Sequence, residues 1–539
     1  MSEAPANAPR ASATSFRRTG KQRLIPLVAG VFALLFGWFV AQFYDPATGL
    51  TSMLSIGDRT EAVAINQLRD VPHHTYRHSY GYDGSYYVQI ALSPLLNDPE
   101  LTTAIDNLPY RARRILLSWT AWGFGFGQPT WIVWVFPFLN VATWFALAWL
   151  LTRWFPLTSW DSLFRWATFM FSHGLCMSVR HSLVDAPSLL LIVLAVIALE
   201  RRRSLGAAAV LSLATLTRET SVLASIAFRE GDPRQLSTWL KRLGFLLLVA
   251  LPLGGWLLYL RLKFGPAASA GFNNFAPPLV GLAEKWVEST TALFAEVVWA
   301  REWFTLACVL SLTVQCVFLL ARWRPGHAWW RIGITFAVMA LFLSRPVWEG
   351  SPGAATRVLL PMSLAFNILV PHGRRWLPIL VAGNLTFFAS LAEFTPPARF
   401  YTLSRPAALA ETVSFTDIGD WYGVEGRRSH TWRWASGPAG LRIENASGTP
   451  LRVTLHGNVS ALDRPRDFAI EAAGQTLWSV RLDGQRATFD VVCIAPPGST
   501  DLLFTTPQPP PPEDRDLRRL AFSVSDLKIA ITPVTDPAP

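Results

Sequence analysis

The chain has 539 residues, 51% of them hydrophobic and only 16% charged, with 24 Trp, 34 Phe and a formal net charge of +11. That composition belongs to a multi-span membrane protein carrying a smaller water-facing part, and it excludes an ordinary soluble globule. The arginines are dispersed at the ends of apolar runs rather than gathered with interleaved aromatics, so membrane lipid is the expected partner and nucleic acid is not. Cys176, Cys308, Cys316 and Cys493 have neither zinc-ligand nor redox spacing, and small core residues without a disulfide framework are expected.

Residues 1–23, rich in Ala, Pro, Ser and Thr and closing on Arg17, Arg18, Lys21 and Arg23, read as a disordered cytoplasmic tail. The apolar run that follows ends in Gln42-Phe43-Tyr44-Asp45 rather than in a small-residue cleavage site, which predicts an uncleaved first helix. Runs of about 17 to 25 residues are long enough to cross a bilayer. Candidates fall at 24–42, 130–152, 161–179, 186–200, 205–217, 219–228, 242–261, 303–321, 328–344, 354–371 and 376–393, several of them short. The reading is thus a polytopic α-helical membrane domain over 24–395 with about eleven transmembrane helices and a first outer loop at 43–129. Threaded from a cytoplasmic start, Arg153, Arg201 to Arg203, Arg229, Arg234, Lys241, Arg242, Arg322, Arg324, Arg374 and Arg375 all turn inward.

An odd number of spans sends the C-terminus outside. After a linker at 396–410 the apolar runs stop. Period-two alternation then appears, as in Leu451-Arg-Val-Thr-Leu-His456 and Leu477-Trp-Ser-Val-Arg-Leu482, with Gly, Asn and Pro turns between. Residues 411–539 therefore read as an all-β sandwich domain, with Pro509 to Pro512 as an extended loop before a last strand near Ala521 to Ile531.

The same topology collects polar clusters on the outer face. They are His73, His74, His78 and Asp83; Arg111, Arg113 and Arg114; Arg180, His181 and Asp185; Arg218 and Glu219; and Arg345, Glu349 and Arg357. Ionisable residues at membrane depth are expensive and mark functional sites by default. Arginines beside an apolar bundle suit a phosphate on a lipid tail, because the planar guanidinium binds phosphate oxygens as a fork and keeps its charge when partly buried. Bland readings stand beside these: Asp83 before Gly84 as a turn residue, the three histidines as solvated loop residues, Arg218 and Glu219 as a mutual ion pair, Arg345 and Glu349 as merely exposed.

The run Tyr82-Asp83-Gly84-Ser85-Tyr86-Tyr87, followed by Tyr110-Arg111-Ala-Arg113-Arg114, resembles bacterial multi-span glycosyltransferases of the GT-C type, in a branch similar to the glycosylphosphatidylinositol mannosyltransferases. Leu216-Thr-Arg218-Glu219-Thr220 and Arg357-Val-Leu-Leu-Pro361 look like later segments of that branch. The resemblance implies transfer of a sugar from a polyprenyl-phosphate donor to a glycan or lipid acceptor on the periplasmic side of a bacterial inner membrane. It further implies an essential acid in the first outer loop, and Asp83 is the matching position. Many members of the wider superfamily carry paired acids there. This chain has Gly84, so Asp83 is read as a single general base, and a divalent cation is left open rather than assigned. Glycosyl transfer needs a base for the acceptor hydroxyl and fixed cations for the leaving phosphate. Tyr82, Tyr86, Tyr87 and Trp348 are candidate stacking faces.

A transporter or flippase of lipid-linked sugars is the alternative, although no internal repeat is evident. A glycan-binding role for Trp421, Tyr422, Trp432 and Trp434 is a further one, set against a β-sandwich core built on Trp.

Overall fold

A computed structural model describes residues 20–46, 48–76, 79–228, 234–265, 272–294, 300–397, 400–409, 412–427, 430–461, 465–507 and 519–534. The predicted tail before residue 20, His78, Arg229 and the proline run Pro509 to Pro512 lie outside them. Two compact units divide the chain. The first is Met1–Ile56, Thr60–His74 and Tyr82–Thr395, and the second is Gly57–Arg59, Thr75–Gly81 and Pro396–Pro539.

The first unit is helical. Its principal helices are α1 Gly20–Ala41, α2 Gly84–Leu92, α3 Pro129–Leu150, α4 Trp160–Met170, α5 His173–Arg180, α6 Asp185–Glu200, α7 Ser204–Thr217, α8 Leu236–Phe264, α9 Ala300–Ala321, α10 Ala328–Phe342, α11 Leu360–Leu369, α12 Leu377–Ala382 and α13 Thr386–Glu393. Four stretches among the described residues, Leu24–Ala41, Pro129–Arg153, Leu236–Phe264 and Ala300–Ala321, are helical, long and apolar enough to cross a bilayer. The bent pair α5 and α6, at 119°, would make a fifth. Several of the other apolar runs are helices too short for that test or are broken. The run at 161–179 stops at Met170 and restarts at His173, and the last run is interrupted between Ala382 and Thr386.

Breaks inside an apolar body free backbone groups that must find partners, and buried polar side chains supply them. Arg165, 2% exposed, donates from Nη1 to the carbonyls of Asn367 and Val370 at 2.8 and 2.7 Å, and so finishes α11. Gln315 and Ser311 of α9 donate to the carbonyls of Gly383 and Ala382 at 2.6 and 2.8 Å, and so finish α12. Asn367 and Asn384 exchange side-chain amide bonds at 3.1 and 3.0 Å. A hydropathy reading sees only the apolar residues of such runs, which is why it predicts unbroken spans. Around these breaks the core is aromatic: Phe36 stacks on Trp144 with ring centroids 3.7 Å apart, and the Trp144 indole donates to the carbonyl of Met170.

The second unit is a β domain. Its strands are β1 Tyr401–Ser404, β2 Val413–Arg427, β3 His430–Asn445, β4 Leu451–Ser460, β5 Arg466–Ala472, β6 Gln475–Leu482, β7 Ala487–Ala495, β8 Gly498–Thr505 and β9 Phe522–Pro533. They form one hydrogen-bonded sheet in the order β6-β5-β8-β3-β9-β4-β7, with β2 also on β3 and β1 also on β9. All pairs are antiparallel except β1 with β9. The sandwich expectation is met in its all-β character, but the strands belong to a single folded-over sheet. Trp478 of β6 meets Phe489 of β7 at 5.8 Å, which brings the two ends of the sheet path together. The alternation that predicts β4 is borne out residue by residue, Leu451, Val453, Leu455 and Val459 all being buried.

Trp421 belongs to this core. It is 4% exposed, donates its indole hydrogen to the carbonyl of Gly440 at 2.9 Å and packs on Phe400, Phe504 and Phe522. For Trp421 the reading as a Trp-built core holds, and the alternative of a glycan platform falls away. Trp432 and Trp434 are half-buried. Trp421→Ala is expected to destabilise the domain by about 3–5 kcal/mol through the cavity it leaves. Thermal or denaturant unfolding followed by near-ultraviolet circular dichroism would measure this, and a change near zero would contradict the core assignment.

Candidate active site

Asp83 immediately precedes α2, where an acid often caps a helix, yet its side chain makes no capping bond. Both of its oxygens face guanidiniums instead: Oδ1 is ion-paired with Arg111 Nη1 at 2.9 Å and Oδ2 accepts from Arg357 Nη2 at 3.1 Å. The turn reading of Asp83 therefore accounts for its backbone and not for its carboxylate. Burial pushes this carboxyl up, but Arg357, Arg111 and Arg114 outweigh it and hold Asp83 below the usual carboxylate range.

The second arginine extends the chain of charges. Arg357 gives Nη1 to Asp185 Oδ2 at 3.2 Å, and Asp185 Oδ1 in turn accepts from Arg218. Asp185 opens α6, and its side chain is 1% exposed. Arg218 ends α7 in extended backbone, where neighbouring side chains point to opposite sides. Arg218 accordingly turns to Asp185, while Glu219 accepts from Arg114 Nε at 2.9 Å. The two adjacent residues therefore do not form the mutual pair considered from sequence.

Arg114 completes the arrangement by giving Nη1 to the Tyr87 hydroxyl at 2.9 Å and Nη2 to that of Tyr110 at 3.0 Å. Asn274, between α8 and α9, also donates to Tyr110, at 3.2 Å. Tyr110 and Arg111 are delivered by a one-turn helix, Leu108–Arg111, capped by Asn107. Arg111 is steadied by Asp106 through a two-pronged bond at 3.1 and 2.8 Å, with the Tyr86 ring 5.1 Å from its guanidinium carbon. Tyr82 lies under Arg357 at 5.6 Å and against His181 at 4.6 Å.

Four guanidiniums (Arg111, Arg114, Arg218, Arg357) thus meet three mostly enclosed carboxylates (Asp83, Asp185, Glu219), with Asp106 at the open edge. Among the described residues, Arg218 Nε, Arg357 Nε and Thr220 Oγ1 are buried without a hydrogen-bond partner, and these three residues line one small cavity with Asp185. That cavity is about 10 Å³, the space of one water at most, so its unmet donors can reach an acceptor-rich anion only where the cavity opens.

The remaining predicted residues take other places. Arg113 sits over the Tyr110 ring at 5.6 Å. Arg180 donates to the Ser52 carbonyl and Ser55 Oγ and lies over Phe43, so it braces the first loop. Arg345 and Glu349 are exposed, and Trp348 is buried, which removes it as a stacking face. His181 is bonded to Ser55 at 2.8 Å and to Glu393 at 3.2 Å. Sequence reasoning missed Ser55, Asp106, Asn274, His173, Thr356 and Glu393. Of these, Glu393 carried a signal, being a lone acid closing an apolar run.

Nor are the described loop histidines solvated as expected. His73 is paired with Glu61 at 3.2 Å, with its side chain 3% exposed, and His74 is half-buried. No grouping of three His, Cys, Asp or Glu with metal-binding geometry occurs among the described residues. No family model matches the chain, and no curated protein matches it.

Two predictions follow from local geometry. A Cβ on Gly84 would lie 2.2 Å from the carbonyl oxygen of His181 and 2.9 Å from that of Leu54. Gly84→Ala should therefore cost about 1–3 kcal/mol of stability, read as a lowered Tm; an unchanged Tm would show that the α5–α6 turn yields freely. Burial and then Arg180 push His74 down from 6.5 to about 4, against opposition from Asp45. Between those values the unfolded chain binds a proton that the folded one does not, so stability is full above pH 6.5 and falls toward pH 4. The loss should be on the order of 2 kcal/mol after solvent screening. His74→Asn should flatten that part of the Tm-against-pH curve.

Proposed function

We propose that the chain is an integral-membrane glycosyltransferase of the GT-C type that moves a sugar from a polyprenyl-phosphate donor to an envelope glycan or lipid acceptor. We place the reaction at the periplasmic face of a bacterial inner membrane. The observation that carries the reading is Asp83 held between Arg111 and Arg357 in a cluster that still has buried, unpartnered guanidinium hydrogens. Guanidinium hydrogens left unmet beside that carboxylate are what transfer from a phosphate-linked donor requires.

In the reaction proposed, the acceptor hydroxyl oxygen attacks the anomeric carbon of the donor sugar. The bond from that carbon to the phosphate oxygen breaks, and the hydroxyl proton passes to Asp83. The lipid phosphate leaves with the bonding electrons, and Arg357, Arg218 and Arg111 stabilise its charge. An Asp83 gripped by two arginines is a weak base, because basicity falls with pKa. Phosphate oxygens entering the cluster compete for those same guanidiniums, and each one drawn away returns basicity to Asp83. Donor binding and activation of the base are thereby one event.

The test is turnover of polyprenyl-phosphate sugars in proteoliposomes. Asp83→Asn should lower it by about 10²–10⁴-fold, the usual contribution of a general base. Arg357→Ala should lower it by about 10²–10³-fold. Full turnover in Asp83→Asn would sink the mechanism, and lipid movement without transfer would favour a flippase.

A further inference from the structure

Glu393 ends α13 and touches none of the charged residues of the cluster through any hydrogen bond described among them, yet it meets both sides of the cluster through histidines. Its Oε1 lies 3.1 Å from His173 Nε2 and its Oε2 lies 3.2 Å from His181 Nε2. Each imidazole then reaches a different strand of the site. His173 Nδ1 meets Thr356 Oγ1 at 2.9 Å, one residue before Arg357. His181 Nδ1 meets Ser55 Oγ at 2.8 Å. The Ser55 carbonyl accepts the amide hydrogen of Tyr82 at 2.9 Å, and the Tyr82 ring lies on His181, one residue before Asp83.

The two histidines stand at opposite ends of α5, and both arms press on that helix at glycine. A Cβ on Gly174 would fall 2.1 Å from the Thr356 carbonyl oxygen, and one on Gly84 would fall 2.2 Å from that of His181. Packing that close leaves the backbones little room to slide. The hydrogen bonds then fix rotation as well.

We infer that Glu393 is the positioning residue of the site: through His173 and His181 it sets the separation of Asp83 and Arg357. The inference rests on the functional reading above for its meaning, not for its geometry. A carboxylate only accepts hydrogen bonds, so it fixes the Nε2–H form of both rings at once. It leaves His181 Nδ1 to accept from Ser55. A neutral amide at 393 presents one donor edge and one acceptor edge, so it satisfies one ring and opposes the other.

The test uses the full chain in bilayers, with histidine-labelled ¹⁵N spectra assigned by His173→Asn and His181→Asn. Wild type should show Nε2–H for both rings, and Glu393→Gln should lose that state at one of them. In parallel, the affinity for farnesyl phosphate should fall about tenfold in Glu393→Gln, which corresponds to about 1.4 kcal/mol. It should recover in part in Glu393→Asp, with Tm held within the range of the Asp variant. Unchanged spectra in Glu393→Gln overturn the inference, as does an affinity loss matched by an equal loss in Glu393→Asp. If wild type binds no farnesyl phosphate, the functional reading fails while the spectra still decide the positioning role. Should Glu393→Gln not fold, Ser55→Ala must alter His181 alone; an unaltered His181 then refutes the chain of contacts.

Discussion

Much of the first unit is arranged so that one guanidinium can serve two carboxylates. Arg357 lies between Asp83 and Asp185, whose segments are a hundred residues apart in sequence, and all three groups are withdrawn from water. Desolvating a charge costs several kcal/mol even after relaxation, and removing one partner from such a group leaves the others uncompensated. The cluster therefore persists only if every segment that feeds it is held from behind. Asp106 holds Arg111, the Tyr87 and Tyr110 hydroxyls hold Arg114, and the histidine pair holds the hydroxyls of Thr356, beside Arg357, and of Ser55, whose carbonyl accepts from the amide of Tyr82, beside Asp83.

Arginine has a second use in this unit, as a fastener of the main chain. Arg165 closes the end of α11, and Arg180 ties the first loop to α5, each through main-chain carbonyls. Both are as buried as Arg357. Burial and charge alone therefore do not separate a site arginine from a structural one. What separates them is what is left over: Arg165 spends its guanidinium on three main-chain carbonyls and Asp161, whereas Arg218 and Arg357 each keep an Nε hydrogen unmet.

The sequence carried the residue types of the cluster and the all-β character of the C-terminal unit, because local alternation and misplaced charge are local signals. Asp83, Arg111, Arg114, Asp185, Arg218, Glu219 and Arg357 were all legible as charges out of place, and they do converge. Which acid pairs with which base was not legible. Arg218 and Glu219 are neighbours in sequence but turn apart, because the chain is extended where α7 ends. Glu393 was passed over since its meaning lies in two histidines that are more than 200 residues away and that only folding brings together. Helix breaks escaped for a related reason. The side chains that finish α11 and α12 come from α4 and α9, so no window along the chain contains both the break and its remedy.

Gly84 bears on how such a site can change over time. The volume that a side chain would need there is already filled by main-chain oxygens of Leu54 and His181. A paired-acid site is thus not one substitution away from this one. The turn between α5 and α6 would have to be rebuilt before a second carboxylate fitted, and that rebuilding would disturb the hydrogen bonds of His181. In lineages descending from such a chain, changes at 84 should be found only together with changes at the α5–α6 turn.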